Sequence, residues 1–259
     1  MRNSLCITLI LIIGYCLKAN AQVVVTLDYY FNHETHLTPE GTLQRFHYLW
    51  EDNSNTGFSV LGEAFKKQGA VLKSLEEPPT QSNLKGTGIY IIVDPDSKKE
   101  NADPKYIGRS DIIEIERWVR NGGVLLMLAN DSANVELKHF NTLAIRFGMR
   151  FKNDLQNHVL NDSHFEDGAV VTMDNPIFNT AKKIFLKDVC SIALNEPAKP
   201  ALLSNGTAIM AWAKCGKGFV MAVGDPWLYN EYTNGRLPAD FENDKAANDI
   251  AAYLIKQVK

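Results

Sequence analysis

Four short apolar runs in this chain of 259 residues end on, or next to, an aspartate. Residues 23–27 (VVVTL) run into Asp28, and residues 89–93 (IYIIV) into Asp94. Residues 124–128 (VLLML) run into Ala129-Asn130-Asp131, and FVMAV (219–223) into Gly224-Asp225. The segments that follow are rich in groups that can bind: Tyr30, Asn32 and Glu34 after the first run, then Asp96 and Glu100 after the second. Asn134 and His139 come after the third, and Trp227, Tyr229, Asn230 and Glu231 after the fourth. FHYLWED (46–52) adds His47, Trp50 and Glu51. Carboxylates and amides take sugar hydroxyls, and aromatic rings stack on the apolar face of a sugar, so this inventory suits a saccharide site. Two carboxylates at a suitable separation also hydrolyse glycosides, one as acid and one as base or nucleophile. In that reading Asp131 works with Asp225 or Glu231, and His47 or His139 lies nearby. Any one of these aspartates is sufficiently explained as a cap for the turn or helix that follows it. Recurrence at four strand ends, each with amides and aromatics beside it, points instead to a shared pocket.

Such a pocket needs elements that bring the four ends to one edge. The apolar runs alternate with helical patterns, at 57–68, 111–120 (Ile112, Ile115, Trp118 and Val119 at helical spacing) and 135–147. Asn121-Gly122-Gly123 ends the second helix, and Gly148 closes the third. Continuous apolar strands between amphipathic helices predict a mostly parallel α/β sheet covered on both faces. Ligands of such sheets bind outside the carboxyl ends of the strands, where strand order reverses. From about 151 to 218 the pattern turns to strands and loops. It predicts an antiparallel β extension, with a hairpin through Cys215–Gly218 and a last helix over 243–258. Trp118 and Trp212 read as core, and His33, His36, His158 and His164 as solvated loop residues.

Residues 1–21 combine Arg2, an apolar stretch and Ala19-Asn20-Ala21, the pattern of a secretory signal cleaved before Gln22. The expectation is a periplasmic or extracellular protein, with residues 22–259 forming a single α/β domain and no membrane span. Loss of Arg2 and Lys18 takes the net charge from −3 to −5 and leaves no basic stripe for nucleic acid. Cys190 and Cys215 would remain, either paired or as two buried thiols. No G-x-G-x-x-G opens a helix and Gly216-Lys217-Gly218 is a hairpin turn, which excludes dinucleotide and P-loop readings. No G-x-S-x-G elbow is present for an α/β-hydrolase. Clustered carboxylates and amides suit Ca²⁺, but neither a D-x-D-x-D-G loop nor H-E-x-x-H occurs. No metal site or cofactor is therefore assigned, and a Ca²⁺ ion stays an open alternative.

The strings DYYFNHE, HYLWED, GFSVLGEAF, IIVDPDSKKEN, WVRNGGVLLMLANDSAN, HFNTLAIRFG and GDPWLYNEYTNGRLP carry a resemblance over nearly the whole of 22–259. The chain resembles the domain often appended to bacterial unsaturated rhamnogalacturonyl hydrolases of glycoside hydrolase family 105. The resemblance implies a flavodoxin-like, class I glutamine amidotransferase-like fold. In that wider fold a cysteine nucleophile occupies the turn after the strand corresponding to VLLML. Here the turn reads Ala129-Asn130-Asp131-Ser132, so amidotransferase chemistry is not expected. The (α/α) barrel of the fused hydrolases is absent from this chain, and its catalytic residues have no counterpart. The expectation is an exported accessory domain of pectin-type polysaccharide breakdown that binds an oligosaccharide and associates with saccharide-degrading enzymes. The alternatives are a hydrolase or esterase using the paired carboxylates, and a structural or protein-interaction module.

Overall fold

A computed structural model describes residues 22–130 and 134–259; segment 1–21 and residues 131–133, Asp131 among them, lie outside the described residues. In chain order the elements are β1 (Val24–Asp28), β2 (Thr35–Leu37), β3 (Leu43–Arg45), α1 (Ser59–Lys67), β4 (Val71–Leu75), β5 (Ile89–Val93) and α2 (Arg109–Arg120). They continue with β6 (Val124–Leu128), α3 (Leu137–Ala144), β7 (Met149–Phe151), β8 (Ala169–Val171), β9 (Lys183–Phe185) and β10 (Ile192–Leu194). The last are β11 (Lys199–Ser204), β12 (Thr207–Cys215), β13 (Gly218–Val223), α4 (Asn230–Thr233) and α5 (Asn243–Ile255).

Seven strands form one sheet in the order β11-β12-β13-β6-β5-β1-β4. The five from β13 to β4 are mutually parallel, and β12 and β11 extend the sheet antiparallel. From β1 the chain first adds β4 on one side and then crosses to β5 on the other. Loops leaving β1 and β5 therefore diverge, which opens a crevice at the carboxyl edge between them.

β5 and β6 are buried at every residue because helices cover both faces. Alternation along each strand divides their side chains between two cores. Ile89, Ile91, Val93, Leu126 and Leu128 pack with α1 (Leu61, Phe65) and α5 (Ile250, Leu254). Tyr90, Ile92, Leu125 and Met127 pack with α2 (Ile115, Val119) and α3 (Phe140, Leu143). Trp118 joins this second core, as its helical spacing predicts. Helices α1, α2, α3 and α5 begin and end within a few residues of the positions read from periodicity and glycine stops.

The antiparallel extension is more broken than its apolar runs suggest. KIFLKDVCSIAL divides into β9 and β10, which pair with β8 and β7 respectively, and residues 186–191 between them leave the strand path. This link is held against the exit of β13, with Cys190 N donating to Gly224 O at 2.9 Å. The approach is so close that a Cβ on Gly224 would lie 1.8 Å from the Cys190 carbonyl oxygen, so only glycine fits. Cys190 and Cys215 are both buried free thiols, which settles the pairing left open by the sequence. Among the described residues, no helix is long and apolar enough to cross a membrane.

Candidate functional site

A cleft of about 360 Å³ opens at the carboxyl edge of β1, β5, β6 and β13. Glu34, His47, Tyr48 and Thr56 reach it from the long connection after β1, and Asp94 and Glu100 from the loop after β5. Asn130 and Asn134 come from beyond β6, and Asp225, Tyr229 and Glu231 from beyond β13. Lys187 and Asp188 reach in from the link between β9 and β10. Loops from four parallel strands thus meet one inserted segment.

Asp94 sits at the floor. Its φ of 45° breaks the strand alternation after Val93 and turns the carboxyl toward Tyr48. Tyr48 Oη donates to Asp94 Oδ2 at 2.9 Å. Oδ1 is buried without a hydrogen-bond partner among the described residues, and the Asn130 side chain interacts with the same carboxyl. Burial, at 4 % exposure, pushes the Asp94 carboxyl well above the usual carboxylate range, against the opposing Tyr48 hydrogen bond. Glu34 and Glu100 add like-charge repulsion in the same direction.

Asp225 forms the opposite side. Lys187 N donates to its Oδ2 at 3.1 Å, which ties the inserted link to the end of β13. Burial raises Asp225 to about 8, and the Lys187 backbone bond and ammonium only partly oppose that rise. Burial also raises the Tyr229 phenol, with the Asp225 charge as the next cause. Tyr229 packs edge-on against Tyr48, with ring centroids 6.3 Å apart, so the two acid sites share an aromatic wall. On the rim, Glu231 pairs with Arg236, which is also held by Asp162. His47 Nδ1 lies 2.7 Å from Glu34 Oε1, and its ring stacks between Phe46 and Tyr48.

The sequence therefore leads to Glu34, His47, Asp94, Glu100, Asn130, Asn134, Asp225, Tyr229 and Glu231 at one cleft. Other candidates lie elsewhere. Asp28 directs its carboxyl into the second core, because the residue before it, Leu27, faces the first. There it accepts from Tyr90 Oη at 2.5 Å and from Phe31 N at 2.8 Å, which makes it the cap of its own turn. Burial raises Asp28 to about 7. Asn32 and Asp96 brace the loops beneath the cleft: Asn32 Nδ2 donates to Asp94 O, and Asp96 Oδ2 accepts from His33 N and Asn101 Nδ2. Burial raises Asp96 to about 6.

Tyr30 packs against the second core. Trp50 lies over β4, its Nε1 donating to Lys73 O, and Glu51 is exposed beside Arg45. His139 stacks on Tyr106 and pairs with Glu136 at the start of α3, away from the cleft. Trp227 is a correction to the binding role read from its loop. It is fully buried among Phe178, Leu228 and the residues of α5, because the turn at Gly224 to Pro226 sends it inward under the sheet. Asn230 is a second correction. Its Nδ2 donates to Asp52 O, Ser54 O and Ser59 Oγ, and its Oδ1 accepts from Val60 N. Helix α1 has no side-chain cap of its own, so Asn230 caps it from 170 residues away.

Tyr48, Thr56, Lys187 and Asp188 are cleft residues that the sequence reading did not single out. Lys187-Asp188 did leave a trace, as a charged pair interrupting the apolar run 184–194. Tyr48 looked like one more aromatic in FHYLWED. Among the described residues, no group of three or more His, Cys, Asp or Glu has the geometry to hold a metal ion. Chemically, the described residues of the cleft offer six carboxyls, with Asp94 and Asp225 strongly raised by burial, two phenols, two amides, a threonine hydroxyl, a histidine paired with Glu34 and one lysine.

The mostly parallel seven-stranded sheet with helices places the chain in the α/β class. Comparison with solved structures gives particular neighbours of the same fold. The mmIFT52 N-terminal domain is similar over 90% of this chain and 97% of its own, with a TM-score of 0.65 at 15% identity. A cytoplasmic protein of Salmonella typhimurium LT2 is similar over 92% of this chain and all of its own, with a TM-score of 0.58 at 15% identity. The β-galactosidase from Bacillus circulans sp. alkalophilus is similar over 92% of this chain, with a TM-score of 0.51 at 13% identity. The match takes in 31% of that enzyme, so the likeness is to one part of a larger chain. At these identities the likeness is one of fold. No family model matches the sequence, and no curated protein matches it significantly.

Proposed function

We propose that the chain is an exported accessory domain of pectin-type polysaccharide breakdown, binding an oligosaccharide in the carboxyl-edge cleft. The observation that carries this reading is where the backbone is strained. Seven non-glycine residues among those described have left-handed φ, and four of them (His47, Tyr48, Asp94 and Asp188) line the cleft. Such conformations cost of order 1–3 kcal/mol each and gather at ligand sites, where function keeps them. Aspartate tolerates the region; for a tyrosine it is rarer, which makes Tyr48 the most telling of the four. Polar groups beside the Tyr48 and Tyr229 rings are the surface a sugar takes.

The finer fold reading is flavodoxin-like, of the class I glutamine amidotransferase-like kind. Counted among the parallel strands alone, the sheet order is 2-1-3-4-5, which supports it. A β-galactosidase that contains a similar part is in keeping with a role beside saccharide-degrading enzymes. The test is calorimetric titration of the purified protein with pectic oligosaccharides, followed by product analysis for turnover. Binding that is lost in Tyr229→Ala and Asp225→Asn supports the reading. If no member of the panel binds, the saccharide assignment is wrong.

One observation favours a second reading, an esterase or hydrolase. The Glu34–His47 pair is held at 2.7 Å, and a carboxylate on Nδ1 leaves Nε2 as a general base. Turnover abolished by His47→Ala would move the domain into that class.

A further inference from the structure

The distribution of charge in the cleft points to a ligand class narrower than saccharides at large. We infer that the cleft takes a neutral, hydroxyl-rich oligosaccharide and rejects uronate chains, with Asp94 as the residue that engages the sugar. This rests on the saccharide reading.

Two independent features carry it. The first is the free valence of Asp94. Asp94 lines the cleft; Tyr48 occupies one of its oxygens, and the other, Oδ1, is buried with no hydrogen-bond partner among the described residues. A buried polar atom without a partner is costly, and a ligand hydroxyl is the group of the right size and chemistry to satisfy it. A hydroxyl both donates and accepts, so it pairs with the carboxyl in either protonation state. Burial raises Asp94 well above the usual carboxylate range and Asp225 to about 8, which favours the protonated form as an O–H donor toward ring and hydroxyl oxygens and supports the assignment.

The second is the charge that surrounds these two acids. On the β5 side the group of opposite charge that the carboxyls of Glu34 and Glu100 meet among the described lining residues is His47, which Glu34 already holds. On the β13 side Lys187 stands among Asp188, Asp225 and Glu231. Glu231 has a further cation in Arg236, which is shared with Asp162. Among the described residues, no cationic fork faces the floor to receive a carboxylate, the device that acid-recognising sites use. A uronate there would meet like charge, which discriminates strongly against the wrong partner.

Titration calorimetry at pH 6.5 and low salt separates the possibilities. One arm uses neutral tetramers, of β-1,4-galactose and of arabinose; the other uses tetragalacturonate, with and without 1 mM Ca²⁺. The expected result is binding of a neutral tetramer and at least about tenfold weaker binding of the uronate. In Glu34→Gln/Glu100→Gln this preference narrows, because two of the repelling charges are gone. Asp94→Asn, whose amide keeps the shape, weakens the neutral ligand by on the order of tenfold, while its melting temperature shows that the fold is kept. Uronate binding equal to or tighter than neutral, with or without Ca²⁺, overturns the inference and leaves the saccharide reading standing. A preference unmoved by the double substitution overturns it as well. Binding of neither class overturns both.

Discussion

Tyr48 Oη donates to Asp94 Oδ2 across the floor of the cleft, and both residues hold left-handed φ, 50° and 45°. Tyr48 comes from the connection after β1 and Asp94 from the end of β5, the two strands on either side of the order reversal. The bond therefore joins the two loops that diverge at the switch point. The aromatic stack Phe46–His47–Tyr48, with successive centroids 4.2 and 4.8 Å apart, fixes the tyrosine from the other side. Tyr48→Phe keeps the ring and removes the donor. The expected cost is about 1–3 kcal/mol, the penalty for leaving a buried acceptor unpaired, read as a lower urea midpoint at unchanged slope. A variant as stable as the parent would mean that water or Asn130 replaces the hydroxyl.

Stability should fall as pH rises, because burial raises several acids, of which Asp28 and Asp225 mark the upper end of the window. Asp28 is raised to about 7 and Asp225 to about 8, both from 3.8, with burial as the main cause. Between the unfolded and folded pKa values the native state holds protons that the unfolded chain has lost. Their stabilisation is complete below about pH 4 and is lost as pH climbs through 7 for Asp28 and through 8 for Asp225. Each contributes a slope of up to about 1.4 kcal/mol per pH unit within its window. Urea titrations from pH 5 to 9 should show the decline, and Asp28→Asn and Asp225→Asn should each flatten it. Variants as steep as the parent would exclude these two groups as its source.

Trp227→Ala should cost about 3–5 kcal/mol, since it empties a fully buried indole site in the main core. Trp227→Phe should cost much less. It leaves a smaller void and removes an indole N–H that has no partner among the described residues. The ratio of the two penalties is the measurement: a core site gives a large one for alanine and a small one for phenylalanine. Near-equal, small penalties would return Trp227 to the cleft.

Asn230→Ala removes one acceptor and three donor contacts that join the 52–60 segment to the exit of β13. A loss of about 1–3 kcal/mol is expected, within the range for caps and buried amides. Hydrogen exchange locates the effect: amides of the 52–60 segment, including Val60, should lose protection while β5 and β6 keep theirs. Uniform loss of protection would show that Asn230 supports the whole fold rather than the start of α1.

The sheet and its helices were legible because their signals are local. IYIIV and VLLML are apolar at every position, and a strand in water has no use for that pattern. Helices α1, α2, α3 and α5 carry apolar residues at helical spacing, and Asn121-Gly122-Gly123 and Gly148 mark two of the stops. Chain order with these types already implies parallel strands joined by crossovers, and hence binding groups gathered at the carboxyl edge. Nine of the nineteen residues read as site members do line the cleft, all of them in segments just beyond strand ends or in the first long connection.

Which way each of those side chains points was decided by tertiary structure. Asp28 and Asp94 both end apolar strands. Asp28 stays on the pleat, which turns it into the second core, whereas the left-handed φ of Asp94 breaks the pleat and turns it to the floor. A period of two residues makes one step of backbone the difference between cap and site. Trp227 and Tyr229 differ in the same way, one under the sheet and the other in the cleft wall. Lys187 and Asp188 arrive only because the 186–191 link packs against Gly224, a contact between segments more than thirty residues apart. Composition and periodicity thus determined the layers and the edge where binding groups collect. The membership of the cleft was set by backbone turns and long-range contacts, which depend on the packed fold and leave little trace in local sequence.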